Sequence, residues 1–374
     1  MTLQTAYERP QPHPDDILDP AGPRHGRAHS TTAPRRHRPA GVWKPLGLTM
    51  LIPFFLATVM GLAYLGAFHQ PEPHHLPVAV VGHSAETLVF AQTLKNESGE
   101  ALDVRTVPST DAARALVESR QIYAAYAPQK ASATLFVSSA ASETTANIAQ
   151  KVFLPIAYDQ HLPLQVQDVV PAGEHDGTGQ GLFFLLVALS IGGYASAIPI
   201  SGHMGRFRLP ARFGLAAGAG AVVAMIGTVI AGPIYQIIDS GIWGSWLISW
   251  LYVSTIVLLG MGLHPLLKHW TTPVLTLLFV ALNFTSSGGI FVPEVQPGLF
   301  AGLSTFWNGG AWLHAVQTLA YFPGQAIGMD LLKLVLWLVP GTLLVVLTHR
   351  WSVRRTRLAD ENSPLSELDE AGAA

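Results

Sequence analysis

Cysteine does not occur anywhere in the 374 residues, which excludes a disulfide framework, thiolate metal sites and thiol catalysis. Charge is scarce as well: Asp, Glu, Lys and Arg together make up 12% of the chain, against roughly 25% in soluble domains. No Gly-Lys pair is present, so the G-x-x-x-x-G-K-[ST] loop that cradles nucleotide phosphates cannot be formed. Neither a G-x-S-x-G elbow, an H-E-x-x-H pair nor a Cys/His zinc spacing is found. These absences read as a chain that is not itself an enzyme, binds no resident metal and implies no cofactor.

What remains is apolar. Hydrophobic residues account for 49% of the chain and mean hydropathy is +0.33. A hydrocarbon core about 30 Å thick needs roughly 20 apolar residues per crossing helix. Segments 46–67, 181–200, 214–234, 245–263 and 331–349 meet that requirement. A sixth, starting near Pro273, is problematic: its strongly apolar part ends at Phe284 and at 1.5 Å per residue reaches only about 18 Å. The first apolar run follows some 45 polar residues, too long a leader for a cleaved signal, and reads as an uncleaved anchor.

Residues 1–45 are rich in Pro, His and Arg and poor in apolar side chains, the composition of a disordered tail. Their positive charges are too dispersed for a nucleic-acid-binding arm. Residues 70–175 change character to a mixed α/β pattern. Strands are expected at 76–82, 102–108, 122–128, 133–139 and 163–171, with helices opened by Ser84, by Ser109 to Asp111, and by Ser142. Residues 350–374 form a second tail. The fold class is thus an α-helical integral membrane protein of six transmembrane helices, with one extracytoplasmic mixed α/β domain between helices 1 and 2 and a five-helix membrane domain over 181–349.

Orientation follows from Lys and Arg. Arg36, Arg38 and Lys44 precede the first helix; Arg206, Arg208 and Arg212 lie between the second and third; Lys268 follows the fourth; Arg350, Arg354, Arg355 and Arg357 follow the last. Loops 235–244 and 291–329 contain neither residue type. The positive-inside rule then places both termini in the cytoplasm of a bacterial plasma-membrane protein and the α/β domain outside. Trp243, Trp246 and Trp250 fit an aromatic belt at the outer interface.

The problematic segment carries the candidate site. Asn283, Ser286, Ser287, Gly288 and Gly289 interrupt the helix, and Glu294 follows between two prolines. Non-helical backbone at membrane depth is tolerated only where protein covers it or where it lines a watery cavity, so these residues are expected to form a gate or substrate path. The pieces over about 285–325 read as re-entrant or interfacial helices, Ala311 to Phe322 among them. Asp330 and Lys333 read as an interfacial pair. Gly214 and Gly218 make a G-x-x-x-G close-packing face, within the chain or in a dimer. No Asp, Glu, His, Lys or Arg sits inside the crossings, which disfavours an ion-coupled carrier.

The AFHQPEPHHLPVAVVG junction after the first helix and the NFTSSGG turn with its Pro-Glu and Pro before the last one carry a resemblance. The chain resembles membrane proteins of the phage-infection-protein (Pip/YhgE) and nitrosoguanidine-resistance type, which are similar in turn to the membrane domains of type-2 ABC exporters. The resemblance covers about residues 46–350. It implies a dimeric permease-like subunit, homomeric or heteromeric, exporting amphiphilic or lipid-like compounds with a separate ATPase. It further implies an external gate and an ATPase contact at Arg206, Arg208 and Arg212. The alternative is a non-transporting receptor or scaffold whose external domain binds envelope components or phage.

Overall fold

The computed structural model describes residues 43–361; positions 1–42 and 362–374, most of the two expected tails, lie outside them. The first helix, α1, runs Trp43–Phe68. It leads into β1 (Leu76–Val81), α2 (Ala85–Ser98), β2 (Leu102–Val107), α3 (Thr110–Glu118), β3 (Ala124–Pro128), β4 (Ala133–Val137), α4 (Ser139–Asp159) and β5 (Leu164–Asp168). Side-chain oxygens open the helices as the sequence suggests: Ser84 accepts from the Thr87 N–H and Ser109 from the Ala112 N–H, satisfying donors that a helix start leaves free. α4 begins earlier than expected, but Ser142 is non-helical inside it and accepts from the Thr145 N–H, so it caps the main body of that helix.

The strands form one sheet in the order β2-β1-β3-β4-β5. β1 is parallel to both β2 and β3, β3 and β4 are antiparallel, and β4 and β5 are parallel. Side chains alternate across this sheet. Leu76, Val78 and Val80 join one core with residues of α2 and α4, whereas Ala79 joins a second core with residues of α3. The central strand β3 is therefore buried on both faces, while the edge strand β5 is largely exposed.

Asp176 ends the α/β portion by accepting from the N–H groups of Gln180 and Gly181 at 3.2 and 2.8 Å, which starts α5 (Gly181–Gly202). Then come α6 (Leu209–Val229), α7 (Ile242–Leu267), α8 (Thr271–Thr276) and, through a π-helical stretch Leu277–Leu282, α9 (Asn283–Ser286). α10 (Gly298–Ser304), α11 (Asn308–Tyr321) and α12 (Gly328–Glu361) complete the described chain. From Tyr252 to Gly262 every residue of α7 is buried, the mark of a helix enclosed all round. Small residues let its neighbours approach: Gly220 of α6 sits against Ser254, and Gly262 against Leu344 of α12.

Five helical runs are long and apolar enough to cross a membrane: Thr49–Phe68, Gly181–Gly202, Leu209–Ile234, Ile242–Ser286 and Gly328–Arg355. The fourth combines the expected fourth crossing with the problematic segment, and the chain turns back inside it. Lys268 has φ +51°; on either side, Leu275 packs at Gly260 and Asn283 bonds to Tyr252, positions at nearly equal distances from the turn.

One expectation is corrected here. Gly214 and Gly218 have nothing near enough to touch an added methyl group, so they do not pack the chain's own helices; Gly220 and Gly227 do so on α6, against Ser254 and Leu189. The three tryptophans also differ in their surroundings. Trp243 is exposed, but Trp246 and Trp250 stack on each other and donate to the carbonyls of Ala221 and Ala217 on α6.

Candidate functional site

The interrupted helix is buried. Asn283, Ser286 and Ser287 are 1%, 0% and 6% exposed. Thr285 and Ser286 turn their hydroxyls back onto the Ala281 and Leu282 carbonyls, which keeps polar side chains satisfied within an apolar bundle. Gly288 then takes φ +79° and ends the helix, a left-handed conformation that glycine adopts without a Cβ penalty. Gly289 lies directly against the Phe183 ring of α5, in the space a Cβ would occupy. Gln296 stabilises the exit by donating to the carbonyls of Thr285 (3.0 Å) and Phe291 (2.9 Å).

Beyond the break the chain enters the α/β portion. Val292 and Val295, 5% and 0% exposed, belong to the same core as Leu76, Val78 and Phe153. The Thr144 hydroxyl donates to the Ile290 carbonyl and the His74 N–H to the Glu294 carbonyl. Tyr123 donates to the Glu294 carboxylate at 3.1 Å. Burial and the adjacent carboxylate raise the Tyr123 phenol well above its ordinary value. Glu294 is thus half-buried and tied to the sheet, not a freely solvated turn residue.

A polar cluster lies under the break. Ser190 and Tyr252 share a hydrogen bond of 2.6 Å, and the Asn283 amide donates to both. Ser190 and Tyr252 fall near the middles of α5 and α7, so this cluster is deep in the bundle. The start of α11 meets it there. Gly309 has the Asn283 amide where its Cβ would be, and Gly310 rests 3.5–3.6 Å, measured from an added Cβ, from the carbonyls of Ser286, Ser287 and Ser304. Trp307 precedes α11 without a side-chain cap. Among the described residues the N–H groups of Asn308, Gly309 and Gly310 have no acceptor. Both amide atoms of Asn308, the Asn283 Oδ1 and the Trp307 Nε1 are likewise buried without a partner. Each such group costs about 1–3 kcal/mol when left unmatched.

A cavity of about 290 Å³ adjoins this cluster at Gly310 and is lined by Ser287, His314 and Lys333 and, on the α/β side, by Arg120 and Tyr123; Asn283, Asn308 and Gly309 are enclosed beside it. Asp330 does not pair with Lys333, as the sequence suggested; it accepts from His314 at 2.6 Å. Lys333 has no carboxylate within ion-pair distance among the described residues. At the far end Arg120 donates to Thr318 (2.5 Å) and Gln325 (3.0 Å) and covers the Phe322 ring, leaving its Nη1 unpartnered. Burial lowers the pKa of Arg120 to about 10, with Asp330 and Tyr123 opposing that shift. An apolar groove of about 480 Å³ between α5 and α6 is larger but carries no ionisable group apart from Tyr235.

The three arginines at the start of α6 and in the loop before it are divided. Arg206 and Arg208 are exposed, whereas Arg212 is 5% exposed and spends its guanidinium on the carbonyls of Phe207 and Met204, at 3.2 and 2.8 Å. It closes its own loop. Arg120, Tyr123 and His314 were not legible as site residues, because their meeting depends on how the end of α3 packs against α11; Asn308 was not legible as one either. The Asn-Gly-Gly triplet before a greasy helix was the one local signal.

Protein-family models, characterised proteins and solved structures were all compared with the chain, and none matches.

Proposed function

We propose that this chain is a permease-like membrane subunit of the type-2 exporter kind, moving amphiphilic or lipid-like compounds outward. In this reading the turn at Lys268 divides the run Ile242–Ser286 into two crossings, giving six in all. Both termini lie in the cytoplasm and the α/β portion lies outside, as the Lys and Arg distribution requires. The observation that carries the reading is the helix broken at Ser286 to Gly289: it is buried, it abuts a polar cavity, and its continuation is embedded in the α/β core. A broken helix of this kind, covered by protein and lining a cavity, is how membrane-embedded paths are built.

The α/β portion would then be the lid of that path, with residues 290–296 as its strap. A separate ATPase would supply energy at the exposed Arg206 and Arg208, and two copies or two related chains would complete the permease. The test is purification in mild detergent with cross-linking, together with export of a fluorescent amphiphile from cells. An ATPase co-purifying with wild type, and export that falls at least tenfold on Gly289→Leu, are expected. Undiminished export without the chain, and no nucleotide-binding partner, would overturn the reading.

One observation favours the receptor reading. α2 and α4 share one face of the sheet, yet leave Leu88, Val89, Leu154 and Tyr158 between 51% and 80% exposed, more apolar surface than a lid alone requires. Under that reading Gly289→Leu would leave function intact, while polar substitutions at Val89 and Tyr158 would abolish it.

A further inference from the structure

α11 has 14 residues, and its first three N–H groups point out of the helix with no acceptor. A helix N-terminus carries about half a positive charge and is usually capped by a side chain, water or an anion. Here Trp307 offers no capping atom. The end is moreover buried: Trp307, Asn308 and Gly309 are all classed among the enclosed residues.

Independent of the backbone, Asn308 is 0% exposed and neither of its amide atoms has a partner. The Asn283 Oδ1, in a side chain 1% exposed, is unpartnered too and lies against Gly309. Lys333 lines the adjoining cavity with Gly310, Ser287 and Ser304. Donors therefore dominate: three backbone N–H groups and the Asn308 Nδ2 at the helix start, and a lysine ammonium in the adjoining cavity. Acceptors are also present, in the two amide oxygens and in the Ser286 and Ser287 carbonyls near Gly310. Asp330, the carboxylate in the cavity wall, is engaged by His314. A group that meets both sets needs negatively charged oxygens beside an O–H or N–H.

We propose that the buried N-terminus of α11, with Asn283, Asn308 and Lys333, binds a phosphate group that carries a neighbouring hydroxyl or ammonium. Phosphate suits such a donor set better than a planar carboxylate because its oxygens diverge and can each meet a separate donor. The site lies beside residues halfway along α5 and α7, so the group would rest at depth, with the 290 Å³ cavity leading away toward Arg120. This inference rests on the permease reading for its meaning, as the headgroup station of an exported amphiphile, but binding can be measured without transport.

The test is thermal unfolding of the full-length protein in detergent, with inorganic phosphate, phosphoethanolamine, ethanolamine, short-chain phosphatidylethanolamine and short-chain diacylglycerol as probes. Probes bearing phosphate are expected to raise Tm in a saturable manner; ethanolamine and diacylglycerol are not. A response to the lipid and phosphoethanolamine but not to inorganic phosphate identifies a headgroup site, and a response to all three identifies a free-phosphate site. Lys333→Gln should weaken the apparent affinity at least tenfold. Asn308→Asp, which places a carboxylate on the same N–H groups, should abolish it; should that variant fail to fold, Lys333→Gln decides alone. Unmoved Tm with every phosphate probe, or equal responses from wild type and variants, would overturn the proposal. Binding without export would instead count against the permease reading alone.

Discussion

At the scale of single residues, the Tyr123–Glu294 bond joins the sheet to the segment leaving the broken helix. The folded state raises the Tyr123 pKa above the ordinary value of about 10. Protonated Tyr123 is favoured in the fold, so its contribution to stability is full below that pH and is lost as pH rises above it. Wild-type protein should therefore lose stability between pH 9 and 11 more steeply than Tyr123→Phe, by up to about 1.4 kcal/mol per pH unit. Thermal unfolding of both proteins across that range checks this, and parallel slopes would refute it. Serine caps such as Ser84 and Ser109 were legible because each needs only its own helix. Tyr123, His314 and Arg120 were not, since their partners stand far along the chain: Arg120 bonds to Thr318 and Gln325.

At the scale of elements, strands and helices of the α/β portion lie close to the limits their alternation and turn residues imply, because local periodicity and capping set them. The short helix expected over Ala311 to Phe322 was legible in outline: it is α11, with Trp312, Val316 and Leu319 packed into the helical core. Its start lies at Asn308 and not Ala311, because burial against Asn283 overrides the weak helix preference of two glycines. Gly214 and Gly218 find no neighbour within the chain, since spacing alone does not say which helix face meets one; only the dimer alternative is left for them. The strap offers the sharpest test at this scale. Val295→Asp places a charge in a 0% exposed position and should lower stability by about 3 kcal/mol or more. Ser84→Ala, at an exposed cap, should cost only about 1 kcal/mol. Comparable losses in chemical denaturation would mean that the strap does not belong to the core.

At the scale of the whole molecule, the distribution of Lys and Arg predicts an orientation that thiol labelling tests directly. The absence of cysteine makes that test clean. In intact cells, an impermeant thiol reagent should modify Lys130→Cys and leave Arg206→Cys unmodified until the membrane is opened; the reverse pattern would invert the topology.

The shared core of sheet and strap also has a consequence for biogenesis. Val292 and Val295 complete a hydrophobic core whose other members, Leu76 to Ala157, emerge from the ribosome more than a hundred residues sooner. At about 5–20 residues per second, the nascent sheet waits on the order of 10 s with a gap in its interior, and fills it only after α5 to α9 have been synthesised. Completion of the sheet's core is thereby made conditional on residues 290–296, made after α9 and before α10, so a chain in which that segment fails to reach the sheet would display an unfinished globule to quality-control proteases.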